Sequence, residues 1–251
     1  MNNINYLDGI DIIYWMNLPK AKERKKYMEK ILEDDIFTNT KIERIEAFDK
    51  TDDIFDKLNL IQRKIADSEY ACLLTHLETI RKFSETNYKT ALIFEDDVSL
   101  EYKKYWTKSL KQIMENAPKN WDILKLCIMK PKQNKKLYTH WKLNTYYNYN
   151  TILLHNDFGA ESYIITNKAA KKLVNEIYHN KKYILDEHIQ HYTDSFIFTK
   201  LNTFTYKFPF FTTRNHNDTQ IQLSTSYTNK MKNITDKFYK KIKNKTRKRK
   251  L

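Results

Sequence analysis

The stretch Ala91-Leu92-Ile93-Phe94-Glu95-Asp96-Asp97-Val98 narrows the possible folds of this chain more than any other, because four apolar residues run without a break into three acids. A short run rich in β formers that ends in carboxylates predicts a buried strand whose far end reaches solvent. Three ionised carboxylates at the mouth of a dry strand repel one another unless a cation stands among them. Side chains alternate along a strand, so Glu95 and Asp97 are expected on one face and Asp96 on the other. Placed in that way, Glu95 and Asp97 can share one magnesium or manganese ion, whose open positions suit a substrate diphosphate. The bland alternative is an acidic turn that is merely solvated.

The net charge of +14 suggests a nucleic-acid partner until it is located. From Thr228 to Leu251 there are eleven Lys or Arg and one acid, so the first 227 residues carry only +4. Residues 1–227 are therefore expected to form one domain, and 228–251 a basic, flexible tail. Such a tail reads equally as a contact arm for RNA, an anionic membrane face or an acidic partner, and as a solvated terminus. With 41% hydrophobic residues the chain can bury a sizeable core. Its two cysteines, Cys72 and Cys127, lie in apolar contexts that favour buried thiols over a disulfide framework. Only Gly9 and Gly159 occur, which excludes glycine-rich phosphate loops of the P-loop and dinucleotide types, and Asn is expected to take the positive-φ turns. Met1 to Asp11 lacks the pattern of a signal peptide, and no segment approaches about 18 uninterrupted apolar residues. A soluble chain with no visible address is expected.

Along the chain, Ile10 to Met16 predicts a central strand. A helix to about Glu33 follows, with Asn17 or a neighbour as its cap and Pro19 near its first turn. The first turns of that helix are basic (Lys20, Lys22, Arg24, Lys25, Lys26), which opposes the helix dipole unless an anion is near. Lys41 to Phe48 predicts a second strand, making an opening β-α-β unit. Ser68 to Phe83 predicts a helix capped by Ser68, leading into the acid-tipped strand. A helix over Tyr102 to Asn116, a strand over Trp121 to Ile128, and a tyrosine-rich loop from Met129 to Asn156 follow. Glu161 to Thr166 (strand), Asn167 to Tyr178 (helix, capped at Thr166 or Asn167), Asp194 to Leu201 (short helix) and Thr203 to Phe211 (strand) complete an α/β sandwich.

Several of these segments, taken in order from Ile12 to about Pro209, resemble the family 25 glycosyltransferases, which include bacterial lipooligosaccharide galactosyltransferases and collagen hydroxylysine galactosyltransferases. Ile13-Tyr14-Trp15-Met16-Asn17-Leu18, with Arg24 and Met28 beyond, is similar to the family's opening strand and helix. Ala47-Phe48-Asp49 resembles its A-x-D-G segment, with Lys50 in place of Gly. Glu69-Tyr70-Ala71-Cys72-Leu73-Leu74-Thr75-His76 resembles G-C-x-x-S-H, with neither the Gly nor the Ser. Leu92 to Val98 resembles I-x-E-D-D-V, and Trp121 to Leu126 resembles x-D-I-L-x-L. Gly159 to Ile165, with Ala169 to Leu173, resembles G-T-x-A-Y-x-I-S…A-A-K-x-L, and Thr193-Asp194-Ser195-Phe196 resembles a later V-D-x-x-L element.

The resemblance implies a GT-A, Rossmann-like α/β/α fold and metal-dependent, inverting transfer of a hexose from UDP-galactose or UDP-glucose. The acceptor it implies is a glycan or a collagen-like protein. On it, Asp97 is the principal ligand of Mn²⁺ or Mg²⁺, with Glu95 and Asp96 as metal or donor-sugar contacts. Asn17, Leu18, Arg24, Ala47, Asp49 and Asp96 are donor-binding positions. His216 stands where GT-A enzymes supply a late metal ligand. Inversion requires a base for the acceptor hydroxyl, for which Asp194 is the candidate, with Asp186 and Glu187 as alternatives and a helix cap as its structural reading. His76, four residues after Cys72, has a spacing compatible with metal binding, but a buried structural histidine is the simpler expectation. The rival functions are a metal-dependent nuclease or phosphodiesterase, which needs a basic groove beside the acids, and an inactive RNA- or membrane-binding relative.

Overall fold

The computed structural model describes residues 4–128, 145–150, 159–214, 229–230 and 232–240. Its strands are β1 (Ile12–Asn17), β2 (Lys41–Glu46), β3 (Leu58–Asn59), β4 (Thr90–Glu95), β5 (Val98–Ser99), β6 (Ile123–Lys125), β7 (Tyr146–Asn148), β8 (Ser162–Thr166), β9 (Tyr178–His179), β10 (Lys182–Ile184), β11 (Thr203–Tyr206) and β12 (Thr212–Thr213). The helices are α1 (Lys22–Leu32), α2 (Asp67–Ser84), α3 (Leu110–Glu115), α4 (Asn167–Ile177) and α5 (Thr193–Lys200), with 310 turns at Asp35–Phe37, Ile54–Asp56 and Lys103–Tyr105.

Seven strands form one sheet in the order β2-β1-β4-β8-β6-β11-β7. β1 runs parallel to β2 and β4, and β6 parallel to β11, while β8 is antiparallel to both of its neighbours and β7 antiparallel to β11. Period-2 alternation divides the core between the two faces of the sheet. Ile12, Tyr14, Ala91, Ile93, Ile123, Tyr163 and Ile165 pack with residues of α2, α4 and α5. Ile13, Trp15, Leu92, Phe94, Leu124 and Ile164 pack on the other side with Met28 of α1 and with Leu110 and Ile113 of α3. The expected α/β/α sandwich is therefore present. Ile93 is fully buried in the middle of the sheet, and truncating such a side chain to Ala costs about 2–5 kcal/mol.

Local signals explain most boundaries. Thr166 caps α4 by accepting from Ala169 N–H, as expected. Asn120 and Asn180 take φ of +62° and +50°, the turn role expected of asparagine in a chain with two glycines. Other expectations shift. Asn17 does not cap α1 and Ser68 does not cap α2: the cap positions are Ala21 and Ala66, neither with a side-chain bond. The helix expected over Tyr102 to Asn116 divides into the 310 turn and α3, because Ser109 and Gln112 form a reciprocal capping box that starts a new helix. The strand expected over Thr203 to Phe211 stops at Tyr206, and the chain pairs again only at β12, against β5.

Residues 229–230 and 232–240 are helical, Phe238 and Tyr239 are buried, and Tyr239 stacks on Tyr105 with its hydroxyl donating to Pro209 O (2.6 Å). Those aromatics, set among the lysines, keep part of the basic segment on the domain.

Candidate active site

The carboxyl ends of β1, β2, β4 and β6 and the amino end of β8 lie along one edge of the sheet. β4 ends at Glu95, and Asp96 and Asp97 form the turn to β5. The alternation expected for the three acids stops with the strand. Asp96 and Asp97 both approach Arg24 Nη2, at 2.5 and 3.5 Å, whereas Glu95 Oε1 lies 3.3 Å from His76 Nε2. A turn does not preserve strand parity, and so two acids meet α1 while one faces α2.

On the α1 side, Asn17 at the end of β1 links the charges. Its Nδ2 donates to Asp96 Oδ2 (2.6 Å), and its Oδ1 accepts from Arg44 Nη2 (3.0 Å). Burial raises Asp96 to about 6, against the opposing pull of Arg24 and Asn17. The basic start of α1 thus meets carboxylates of its own chain. Ala47 N–H donates to Asn17 O (3.1 Å), Leu18 is half-buried, and Asp49 is ion-paired with Lys20, which lowers its carboxyl. Arg214, at the end of β12, donates its N–H to Asp97 O (2.8 Å). His216 lies outside the described residues.

On the α2 side the acids are handled differently. Asp194, in the first turn of α5, is buried; its Oδ2 accepts from Gly159 N–H (3.1 Å) and its Oδ1 from Ser195 N–H (2.8 Å). Gly159 has φ of +124°, which other residues rarely adopt, and this places its N–H on the carboxylate. Burial raises Asp194, while Lys125 at the end of β6 pulls it down. Asp194 is not the N-cap of α5, which is Tyr192. Asp186 and Glu187 are ion-paired with Lys200 and Lys64 respectively, and both are lowered, first by the His188 N–H on Asp186 and by Lys64 on Glu187.

Two residues without a site role in the sequence reading also stand at this edge. Glu161 continues the β4–β8 pairing, with its carbonyl accepting from Glu95 N–H (3.0 Å), and its buried carboxyl accepts from Cys127 Sγ (3.1 Å). Burial, then Glu95 and Asp97, push Glu161 well up. Lys125 is fully buried, its ammonium 4.9 Å from the ring centre of Phe198 and 5.1 Å from that of Tyr149. An acid two residues after Gly159 and a lysine inside Ile-Leu-Lys-Leu-Cys-Ile were the available signals, since such residues are rarely buried without a partner. Asp96 and Asp97 thus bring carboxylate oxygens together at this edge with Arg24 bridging them, while Glu95 faces His76.

Residues 10–197 match the model of a family described as glycosyltransferase family 25 (LPS biosynthesis protein). Among solved structures, mouse xyloside xylosyltransferase 1 in its apo form aligns at 10% identity with a TM-score of 0.34, covering 67% of this chain and 59% of that one. The apo-form glycosyltransferase GlyE of Streptococcus pneumoniae TIGR4 aligns at 9% identity with a TM-score of 0.35, covering 94% and 64%. This chain spans about six tenths of the length of each, and no curated protein matches it.

Proposed function

The chain belongs to glycosyltransferase family 25, and on that premise we propose that it moves a hexose, galactose or glucose, from a UDP-sugar to a hydroxyl of a glycan or of a hydroxylysine-containing protein, with a divalent metal and inversion at the sugar. Its mixed sheet between helical layers is of the GT-A type. The observation that carries the proposal is the Asp96-Asp97 turn that follows Glu95 at the carboxyl edge of β4, held beside β1 by Arg24 and Asn17.

In this reading Asp97 is the principal ligand for Mn²⁺ or Mg²⁺, with Glu95 and Asp96 as further metal or donor contacts and His216 as a late ligand. A metal bound there neutralises charge that develops on the leaving diphosphate. Asn17, Leu18, Arg24, Ala47 and Asp49 line the donor side, where Arg24 orients Asp96 and Asp97 and Asn17 holds Asp96 against rotation. Asp194 takes the acceptor proton as the new glycosidic bond forms and the bond to phosphate breaks. The Gly159 and Ser195 amides fix its oxygens, and burial makes it a stronger base than an exposed aspartate. Asp186 and Glu187, tied to lysines and lowered, are poorer bases.

A nuclease would need free basic groups beside the acids, whereas Arg24 and Arg44 are engaged by Asp96, Asp97 and Asn17. The experiment is calorimetric titration of UDP with and without Mn²⁺, on the wild type and Asp97→Asn. Metal-dependent binding is expected in the former and its loss in the latter. Equal UDP affinity in both sinks the ligand assignment.

A further inference from the structure

We propose that Cys72, His76 and Glu95 form a second metal site, for one borderline-soft divalent ion such as zinc, distinct from the oxygen site at Asp97. Cys72 and His76 are four residues apart on α2, so their side chains share a helix face. Glu95 comes from the end of β4, and ligand atoms of the three residues all lie within 4.8 Å of one another. Among the described residues no other group of three His, Cys, Asp or Glu side chains meets in this way.

The atoms around the three ligands are arranged as metal sites require. A ligating histidine usually gives its second nitrogen to a hydrogen-bond partner that fixes its tautomer. His76 Nδ1 lies 3.0 Å from the hydroxyl of Tyr163, whose ring stacks on the imidazole, which leaves Nε2 for the ion. Cys72 Sγ accepts a hydrogen bond from Thr193 Oγ1 (3.3 Å), a contact that steadies a thiolate. On binding, the Cys72 proton passes to solvent, Nδ1–H of His76 donates to Tyr163, and Glu95 turns one oxygen to the ion. Thiolate and imidazole together favour zinc over magnesium or manganese, and three protein ligands leave a fourth position for water. Cys72 and Glu95 are partly exposed, so an ion can enter.

Glu95 is also a contact in the proposed donor site, so the test must separate the two ions. Purified chain is loaded with Zn²⁺ or Co²⁺ and desalted, its metal content is measured, and the cobalt form is scanned for a thiolate-to-cobalt charge-transfer band. The wild type should retain one equivalent and show the band, Cys127→Ser and Asp97→Asn should keep both, and Cys72→Ser should lose both. Tyr163→Phe, a mild change that removes only the hydroxyl, should weaken zinc affinity by roughly 10–100-fold. A wild-type protein without the band overturns the site whether or not Cys72→Ser folds, as does a band that survives Cys72→Ser or disappears in Cys127→Ser. Loss of metal-dependent UDP binding in Asp97→Asn with the cobalt band intact supports both sites. A band with no UDP binding in the wild type would leave this site standing and remove the donor site.

Discussion

The two sides of the β4 tip give the same kind of side chain different partners. Toward α1, Asp96 and Asp97 are met by a guanidinium and an amide, so their charge is dispersed by Arg24 and Asn17. Toward α2 and α5, Glu161 and Asp194 are buried and pushed up, with Cys127, backbone N–H groups and the buried Lys125 as their partners. The difference is useful for group transfer. A carboxylate pair braced by a guanidinium and an amide suits the grip on a cation and diphosphate, whereas a buried one held by backbone N–H groups suits proton abstraction. One strand end can serve both tasks because the sheet brings different layers to its two faces.

The largest expected effect tests the buried side. Asp194→Asn should retain metal-dependent UDP binding while transfer to the acceptor falls by ~10²–10⁴-fold in kcat. Unchanged kcat would move the base elsewhere and erase the contrast. On the α1 side, Arg24→Met leaves Asp96 and Asp97 facing each other without their shared cation, and should cost about 3 kcal/mol in urea unfolding. A loss confined to donor affinity, with stability intact, would make Arg24 a substrate contact rather than the strut of the turn. Asn17→Ala should cost less, about 2 kcal/mol, because one hydrogen bond to a charged group is lost at Asp96 while Arg24 stays.

The smallest effect is a shift in pH dependence. Asp194 must be ionised to act as a base, burial raises it, and Lys125 pulls it back down. Lys125→Met removes that pull, so the acid limb of the kcat/KM profile should move to higher pH with little change on the alkaline side. A limb that stays in place separates Lys125 from the base.

Much of the fold was legible because it depends on neighbours in the chain. The Ala91–Phe94 run, the apolar strand at Ile12, and the Thr166 cap followed by Ala169, Ala170 and Leu173 each carry their own signal. Cap positions were harder to read: Asn17 had the right chemistry for a helix start, but its amide goes to Asp96, 79 residues away. The basic start of α1 suggested an anion, and Asp96 and Asp97 supply one. Strand parity misplaced the acids because it ends with the strand at Glu95. Glu161 and Lys125 carried only the weak signal of a charge in apolar company. Their placement at one edge depends on β8, which follows both strands in the chain, pairing between β4 and β6.

The order of residues alone determined an α/β sandwich with an acid-tipped central strand, since hydrophobic period and turn chemistry act between residues a few positions apart. The tertiary structure decided which acid met a guanidinium, which met a histidine and which was left among buried groups. Charge compensation acts through space, over a few ångströms, and the distances there are set by which strand ends and helix faces converge.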